Sequence, residues 1–296
     1  MKKYVLIPVL ILSLCLGAVT MASAGDCAPI AESFEFETYR GVAFGGELQA
    51  LDPDGDTLSF EITTQPVKGS IKLNDDGSFV YTPEEGKKGR DYFGYRAVDC
   101  DGNRSQEATV IIRLKKCGTA IRYADLKGDP AEYSAVRLAE SGAFIGKCLG
   151  GSYYFEPEHS VSRGEFLSLC LEVTDTELLS GVIATGFEDD PSIPIYLKPY
   201  VSTAVLDGII SGESDGDGTV FGASDELSRA EAMVLLSNAL HLSDVSHVSV
   251  PEEVPAWAAQ SAANLSSCGI VHSLELSGDT LTRAEAAKML AAAMDR

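Results

Sequence analysis

One five-residue pattern occurs three times in the second half of the chain, as Val161-Ser-Arg-Gly-Glu165, Leu227-Ser-Arg-Ala-Glu231 and Leu281-Thr-Arg-Ala-Glu285. Each copy places a serine or threonine three residues before a glutamate and just ahead of an apolar run, which is the signature of a capping box at a helix N-terminus. A second helical pattern, ending at a glycine, precedes each copy. The pattern therefore predicts an array of three repeats, each built of a helix, a Gly-rich loop and a second helix, over residues 121–174, 185–242 and 249–296.

The capping residues have a structural role in this prediction. The serine or threonine hydroxyl accepts a hydrogen bond from the third helical amide, and the glutamate carboxylate returns to the amide of the cap residue. These residues are Ser162, Glu165, Ser228, Glu231, Thr282 and Glu285.

An arginine occupies the first helical position in all three copies, at Arg163, Arg229 and Arg283. Free amides and the positive end of the helix dipole favour an anion at this position, and a guanidinium binds carboxylate or phosphate with two hydrogen bonds. Because a capping box alone does not require arginine, we expect the three arginines to bind an anionic ligand. The alternative is that each arginine pairs with a neighbouring acid such as Asp125 or Asp189.

The first half of the chain has a different periodicity. Apolar and polar residues alternate in segments such as Ser33-Phe-Glu-Phe-Glu37 and Ser78-Phe-Val-Tyr81, and turn residues separate the segments. This pattern predicts an antiparallel, immunoglobulin-like β-sandwich over residues 28–116. The predicted fold is thus multidomain, with an Ig-like β-sandwich followed by a mainly α three-repeat array.

The repeats resemble S-layer homology domains, whose signature combines an aromatic-x-Asp start, a Gly-Ile-Ile-Ser-Gly loop entry and a Thr-Arg-Ala-Glu helix start. The second repeat matches best, with Phe187-Glu-Asp189 and Gly208-Ile-Ile-Ser-Gly212. The first repeat has Tyr123-Ala-Asp125 but Gly164 in place of alanine. The third has Trp257-Ala, no aspartate at its start and a shorter loop, so its groove is expected to be incomplete.

This resemblance implies three blocks around a pseudo-threefold axis, with grooves that bind a secondary cell-wall polysaccharide or another peptidoglycan-linked polymer. Such a polymer often carries ketal-linked pyruvate, whose carboxylate suits an arginine. Trp257 would stack on a sugar, although core packing is the alternative for a lone tryptophan. The polymer-binding residues implied are Arg163, Arg229, Arg283, Asp125, Asp189, Gly212 and Trp257.

The predicted sandwich resembles bacterial Ig-like or cadherin-like repeats of surface proteins, on the run Ala50-Leu-Asp-Pro-Asp-Gly-Asp56 and on Asp76-Gly-Ser-Phe-Val-Tyr-Thr-Pro83. The family implies a spacer or presenting module. The alternative function is calcium-dependent adhesion or assembly, with the sandwich binding a surface-protein partner. The sequence requires no cofactor, and calcium is the one candidate, at a cluster of closely spaced acids that is interpreted first as a solvated turn: Asp52, Asp54, Asp56, Asp99 and Asp101.

The N-terminus predicts export. Two lysines, an apolar run and Ala22-Ser-Ala24 form a cleavable secretory signal over residues 1–24, which leaves no transmembrane anchor in the mature chain. The net charge of −21 excludes nucleic acid as a bulk electrostatic partner. The expected location is secreted, on the cell wall or cell surface as in an S-layer, and no catalytic motif is present.

Seven cysteines are present, and Cys15 falls inside the predicted signal. The other six form an even set in a compartment expected to be oxidising, which predicts disulfide bonds of undetermined pairing. They are Cys27, Cys100, Cys117, Cys148, Cys170 and Cys268.

Overall fold

A computed structural model describes residues 27–144, 146–214, 218–246, 250–271 and 280–295. The predicted signal at residues 1–24 and the short loop of the third repeat at 274–279 lie outside the described residues.

The first module is a sandwich of two sheets. Its strands are β1 (Ile30–Ala31), β2 (Phe34–Tyr39), β3 (Phe44–Glu47), β4 (Ala50–Leu51), β5 (Ser59–Thr64), β6 (Gly69–Leu73), β7 (Ser78–Pro83), β8 (Gly89–Val98) and β9 (Ala108–Lys115). One sheet has the order β2-β9-β8-β5 and the other β3-β7-β6, while β1 and β4 form a separate ribbon. The predicted sandwich is confirmed.

The alternation of residues along the strands builds the core of the sandwich. Along β9 the residues are alternately buried and exposed, so one face of the strand packs inward and the other meets solvent. The aromatic rings of Phe79, Tyr81, Phe93 and Tyr95 fill the space between the sheets and are almost fully buried.

One strand pair differs from the antiparallel prediction, because β2 runs parallel to β9. The two strands come from opposite ends of the module, so no hairpin connects them and they are free to pair in parallel.

The second module is mainly helical. Its elements are α1 (Glu132–Ser141), β10 (Lys147–Leu149), β11 (Ser152–Tyr154), α2 (Arg163–Val173), a 3₁₀ turn (Asp190–Ser192), α3 (Lys198–Leu206), β12 (Glu213–Ser214), β13 (Thr219–Val220), α4 (Arg229–Ala239), α5 (Ala259–Ser267) and α6 (Arg283–Met294). The even-numbered helices begin at the three arginines, as the capping pattern predicts.

The three repeats close into a ring. Helix α3 packs on α2, α5 packs on α4, and α1 returns to pack on α6. At the centre, the amide of Val161 donates to Leu281, that of Leu281 to Leu227, and that of Leu227 to Val161, at 3.0, 2.7 and 3.0 Å. These buried residues directly precede the capping residues, so their cyclic hydrogen bonds mark a pseudo-threefold axis.

The sandwich packs against the first repeat. The amide of Ala43 donates to the Glu132 carboxylate at 3.0 Å, and the amide of Tyr133 donates to the Ala43 carbonyl at 3.1 Å. Gly45 lies so close to Pro130 that a Cβ atom added to it would be 2.5 Å from the proline Cβ. The two modules therefore share a close-packed interface, which neither resemblance implied.

Among the described helices, none is long and apolar enough to cross a membrane. No disulfide bond joins any of the six cysteines within the described part of the chain, so the disulfide framework stays a prediction.

Candidate functional site: the junctions between repeats

An arginine of one repeat meets the capping glutamate of the next at every junction. Arg163 Nη2 lies 2.6 Å from Glu231 Oε1, and Arg229 Nε donates to Glu285 Oε1 at 3.1 Å. Arg283 Nη2 completes the circle at 3.5 Å from Glu165 Oε1. The three arginines and three glutamates thus form a closed ring of ion pairs around the pseudo-threefold axis.

The helix N-termini at two of the junctions are already occupied by the backbone of the next repeat. The amides of Arg163 and Gly164 donate to the carbonyls of Asp225 and Ala223 at 2.9 and 3.0 Å. At the start of α6, the amides of Arg283 and Ala284 bond in the same way to a loop of the first repeat, at 2.8 and 2.9 Å. The expectation of free amides that attract an anion is therefore wrong for α2 and α6, because ring closure uses those donors.

The arginines differ in exposure. The side chain of Arg283 is only 9% exposed, whereas Arg163 and Arg229 are 16% and 18% exposed. Arg283 Nη1 donates to the Phe155 carbonyl at 2.7 Å and lies 3.2 Å from Glu156 Oε2. Its guanidinium also sits over the ring of Phe144, 5.2 Å from the centroid. Arg283 is therefore the most deeply enclosed of the three.

At the first junction, Arg163 has a second acidic partner. Its Nη1 donates to Glu213, which lies on β12 of the second repeat and is 60% exposed. These ion pairs join the arginines to glutamates, whereas Asp125 and Asp189, named as alternative partners, accept hydrogen bonds from backbone amides.

Asp125 and Asp189 hold equivalent loops. Asp125 accepts from the amides of Phe155 and Glu156, the latter at 2.7 Å. Asp189 accepts from the amides of Phe221 and Gly222 at 2.9 Å each. The two carboxylates therefore fasten the end of each hairpin to the start of its repeat, which is a sufficient structural reason for the aromatic-x-Asp motif.

The glycine at position 212 is also required by the local structure. Its φ is +78°, and a Cβ atom there would lie 2.5 Å from Thr219 Cγ2 and collide with the Phe187 ring. The position requires glycine whether or not a ligand binds.

The capping boxes form as predicted in α4 and α6, where Ser228 with Glu231 and Thr282 with Glu285 exchange both hydrogen bonds. In α2 only the first bond forms, from the Glu165 amide to Ser162 at 3.3 Å. The Glu165 carboxylate lies near Arg283 instead, and we attribute the incomplete box to this competing cation.

Two carboxyl groups that contact these arginines, those of Glu156 and Glu285, have lowered pKa values. Hydrogen bonds from Lys147 and Arg283 lower the pKa of Glu156. Burial tends to raise the pKa of Glu285, but the hydrogen bonds from Arg229 and Thr282 outweigh it and the net shift is downward. Both groups therefore stay ionised at neutral pH.

Trp257 is 61% exposed, so core packing, the alternative given for it, is wrong. It stands directly before Ala258, the N-cap residue of α5. The equivalent residue in the second repeat is Tyr196, which precedes the N-cap residue of α3 and is 69% exposed. Aligning the two outer helices on their N-cap residues would have identified Tyr196 from the sequence.

The third equivalent position, in the first repeat, is Pro130, which contacts the sandwich at Gly45. The two exposed aromatic side chains therefore belong to the second and third repeats, where the sandwich does not cover this position. Tyr196 is also next to Leu197, whose Cδ1 would lie 2.7 Å from a Cβ added at Gly164, so Tyr196 flanks the junction of Arg163.

The acids proposed for calcium lie at one pole of the sandwich. Asp52 Oδ1 accepts from the amides of Asp54 and Asp56, and its buried Oδ2 has no hydrogen-bond partner. Asp99 accepts from the amides of Asp101 and Asn103 and from the Asn103 side chain, so both of its oxygens close a turn.

A different set converges at this pole. One ligand atom each of Asp56, Cys100 and Asp101 lies within 4.8 Å of the others. The structure thus brings together only part of the acidic cluster, and adds a cysteine to it.

These features define a two-module protein with a β-sandwich followed by a ring of helical repeats. Residues 26–116 match the bacterial cadherin-like domain, and residues 186–233 match the S-layer homology domain. The chain therefore carries a bacterial cadherin-like domain followed by an S-layer homology domain. Both are binding or anchoring modules, and no enzyme family matches.

Similarities to solved structures are partial. An endo-fucoidan hydrolase, MfFcnA4 of glycoside hydrolase family 107, is 22% identical, with 31% of this chain and 14% of that chain covered and a TM-score of 0.26. The SrpA adhesin of Streptococcus sanguinis is 15% identical over 33% of this chain and 64% of that chain, with a TM-score of 0.24.

The D00-D0 domain of intimin is 17% identical over 32% of this chain and 50% of that chain, also with a TM-score of 0.24. The chain thus spans a small part of the hydrolase and about half of the intimin fragment, and at these scores the likenesses carry no functional argument. Among curated proteins, none matches the chain.

Proposed function

We propose that this protein is exported and attaches to the cell envelope by binding an anionic secondary cell-wall polysaccharide through the ring of repeats, with the sandwich as the presenting module. S-layer homology domains bind cell-wall polysaccharide and imply association with the cell surface. We extend that family to the first and third repeats because they share the capping pattern and close the same ring.

The exposure of Trp257 and Tyr196 at equivalent positions of the ring carries this proposal. An aromatic ring left in water at the start of a helix has no role in the core, and stacking on a sugar face is a use that suits it. Two such rings at neighbouring repeats allow one polymer chain to bind at two places, and the apparent affinity then exceeds that of either site.

The arginines divide into two roles in this proposal. Arg283 is enclosed and stabilises the ring. Arg163 and Arg229 contact the polymer, and at Arg163 a pyruvate carboxylate would replace the exposed Glu213 while the pair with Glu231 stays intact. Exchange of one carboxylate for another keeps the guanidinium satisfied, which is how a very acidic protein can bind an acidic ligand.

Co-sedimentation of the purified chain, residues 25–296, with cell-wall sacculi of its host tests the proposal. Arg229→Ala and Trp257→Ala should each weaken binding. Arg104→Ala and Tyr92→Ala are the matched controls, since they remove an exposed arginine and an exposed aromatic residue from the sandwich. Equal binding by all four variants would show that the junctions do not recognise the polymer.

Calcium-dependent adhesion through the sandwich is the second candidate. The buried and unpartnered Oδ2 of Asp52, in a loop beside Asp56 and Asp101, is the observation that favours it. A cation there should raise the unfolding temperature of the sandwich, and Asp101→Asn should reduce the effect. An unfolding temperature that does not change between millimolar Ca²⁺ and EDTA would exclude this function.

A further inference from the structure

Two cysteines lie at the pole of the sandwich where the loop between β4 and β5 turns. The antiparallel pairing of Ile30 with Leu51, continued outward, places Cys27 opposite Asp54. The amide of Cys27 accordingly donates to Asp54 Oδ2 at 2.7 Å. The chain just before β1 is therefore fastened to this loop.

Cys100 reaches the same loop from the other side. The pairing of Ser59 with Val98, continued outward, places Cys100 opposite Thr57 and next to Asp56. The Cys100 sulfur lies within 4.8 Å of a carboxylate oxygen of Asp56.

The loop brings the contact points of the two cysteines, Asp54 and Asp56, onto one tight turn. The amides of Asp54 and Asp56 both donate to the same oxygen, Asp52 Oδ1, at 2.9 and 3.2 Å. The residue that holds Cys27 and the residue that lies against Cys100 are therefore side by side on one turn. Both cysteines are exposed, so no core packing opposes the rotation of their side chains.

The remaining cysteines are badly placed to compete. Cys117 follows β9, whose eight residues run antiparallel to β8. At about 3.4 Å per residue, this strand separates Cys117 from the pole of Cys100 by roughly 25 Å. Cys170 is fully buried in α2, while Cys148 and Cys268 belong to the helical array.

We propose that Cys27 and Cys100 form a disulfide bond that closes this pole of the sandwich. Each thiol loses a proton, the Sγ–Sγ bond forms, and the two electrons reduce the S–S bond of a small disulfide such as oxidised glutathione to two thiols. This cross-link goes beyond the proposed function, and it identifies one pairing among those that six cysteines allow.

The surroundings of the bond make it resistant to reduction. Desolvation, a hydrogen bond to Asp56 and the nearby carboxylates raise the pKa of the Cys100 thiol. The same negative charges repel an anionic thiolate that approaches the disulfide, so exchange with thiol reductants is slow.

The bond would reinforce the weakest part of the sandwich. β1 pairs with β4 through only two residues at each strand, and such short ribbons fray first. A link from Cys27 to the turn after β8 prevents β1 from separating while the larger sheets stay folded.

Peptide mapping of the full chain, residues 25–296, tests the proposal in a defined glutathione buffer, so the result does not depend on where the protein resides. After oxidation, blocking of remaining thiols and trypsin digestion without reduction, the peptide ending at Arg40 should be found linked to Ala97–Arg104. Cys27→Ser and Cys100→Ser should each abolish this linked peptide, while Cys148→Ser, which alters an exposed cysteine of the array, should leave it intact.

Reduction supplies a second readout. It should lower the unfolding temperature of the wild-type sandwich by on the order of 10 °C and should not affect the Cys27→Ser/Cys100→Ser double variant. Recovery of both peptides as alkylated monomers after oxidation would overturn the proposal, as would a link from either cysteine to another one.

Discussion

Replacing Arg283 with alanine should destabilise the helical array even in the absence of any ligand. The guanidinium donates to the Phe155 carbonyl at 2.7 Å, lies near two carboxylates and covers the Phe144 ring, with only 9% of the side chain exposed. Loss of a hydrogen bond from a charged group costs about 1.5–3 kcal/mol, and loss of the cation–π contact costs about 0.5–1 kcal/mol. We therefore expect Arg283→Ala to lower the free energy of unfolding by about 2–4 kcal/mol.

Urea unfolding followed by circular dichroism at a helix-sensitive wavelength measures this change, since most helices belong to the array. For an array of this size, about 2–4 kcal/mol corresponds to a fall in melting temperature of roughly 5–15 °C. Arg104→Ala is the control, because its exposed ion pair with Glu61 on the sandwich should contribute less than about 1 kcal/mol. If Arg283→Ala unfolds with the wild-type midpoint and only polymer binding is lost, the assignment of Arg283 to ring closure is wrong.

Three further predictions concern the array. Gly164→Ala should lower the melting temperature by a few degrees, because the added Cβ would lie 2.7 Å from Leu197 Cδ1 and overpacking costs about 1–3 kcal/mol. The same substitution should cost less when both proteins compared carry Leu197→Ala, because the clashing atom is then absent. Hydrogen bonds from Lys198 and Thr185 lower the pKa of Asp190 to about 2, below its unfolded value near 4, so the stability that the ionised group contributes is present above about pH 4 and is lost toward pH 2. The melting temperature of Asp190→Asn should therefore change less between pH 4 and pH 2 than that of the wild type. Trp257→Ala should weaken sacculus binding roughly 3- to 10-fold while leaving the melting temperature within a degree or two, because the ring is 61% exposed.

Local sequence patterns predicted the elements well. The capping pattern depends on residues three apart, and it located the starts of α2, α4 and α6 at the three arginines. The alternating segments at Ser33–Glu37 and Ser78–Tyr81 likewise fall on strands β2 and β7. Such features are decided within a few residues, so a single sequence contains the necessary information.

The contacts of the site could not be predicted from local patterns, because they form only when the three repeats close into a ring. The alternative to ligand binding paired Arg163 with an aspartate near the start of a repeat, yet its acidic partners are Glu213 and Glu231 of the second repeat. The parallel pairing of β2 with β9 and the packing of Gly45 on Pro130 are also contacts between distant parts of the chain. These contacts follow from the arrangement of whole elements, and a pattern within one element does not indicate them.

The same limit explains why the first repeat has glycine at position 164 where the other two repeats have alanine. Gly164 looked like a weakened copy of the alanine found in the other repeats. In the structure it accommodates the larger Leu197, whereas the equivalent N-cap residues of α1 and α5 are Ala131 and Ala258. The departure from the pattern is therefore a compensation between two sites, visible only once the helices are packed.

The most direct test of the central claim is the fraction of the chain, residues 25–296, that sediments with sacculi of its host before and after the non-peptidoglycan polymer is removed chemically. Polymer recognition predicts binding to intact sacculi that is lost after removal and recovered when the purified polymer is used instead. Equal binding to stripped sacculi would place the ligand in the peptidoglycan itself, and no binding to intact sacculi would contradict the anchoring function.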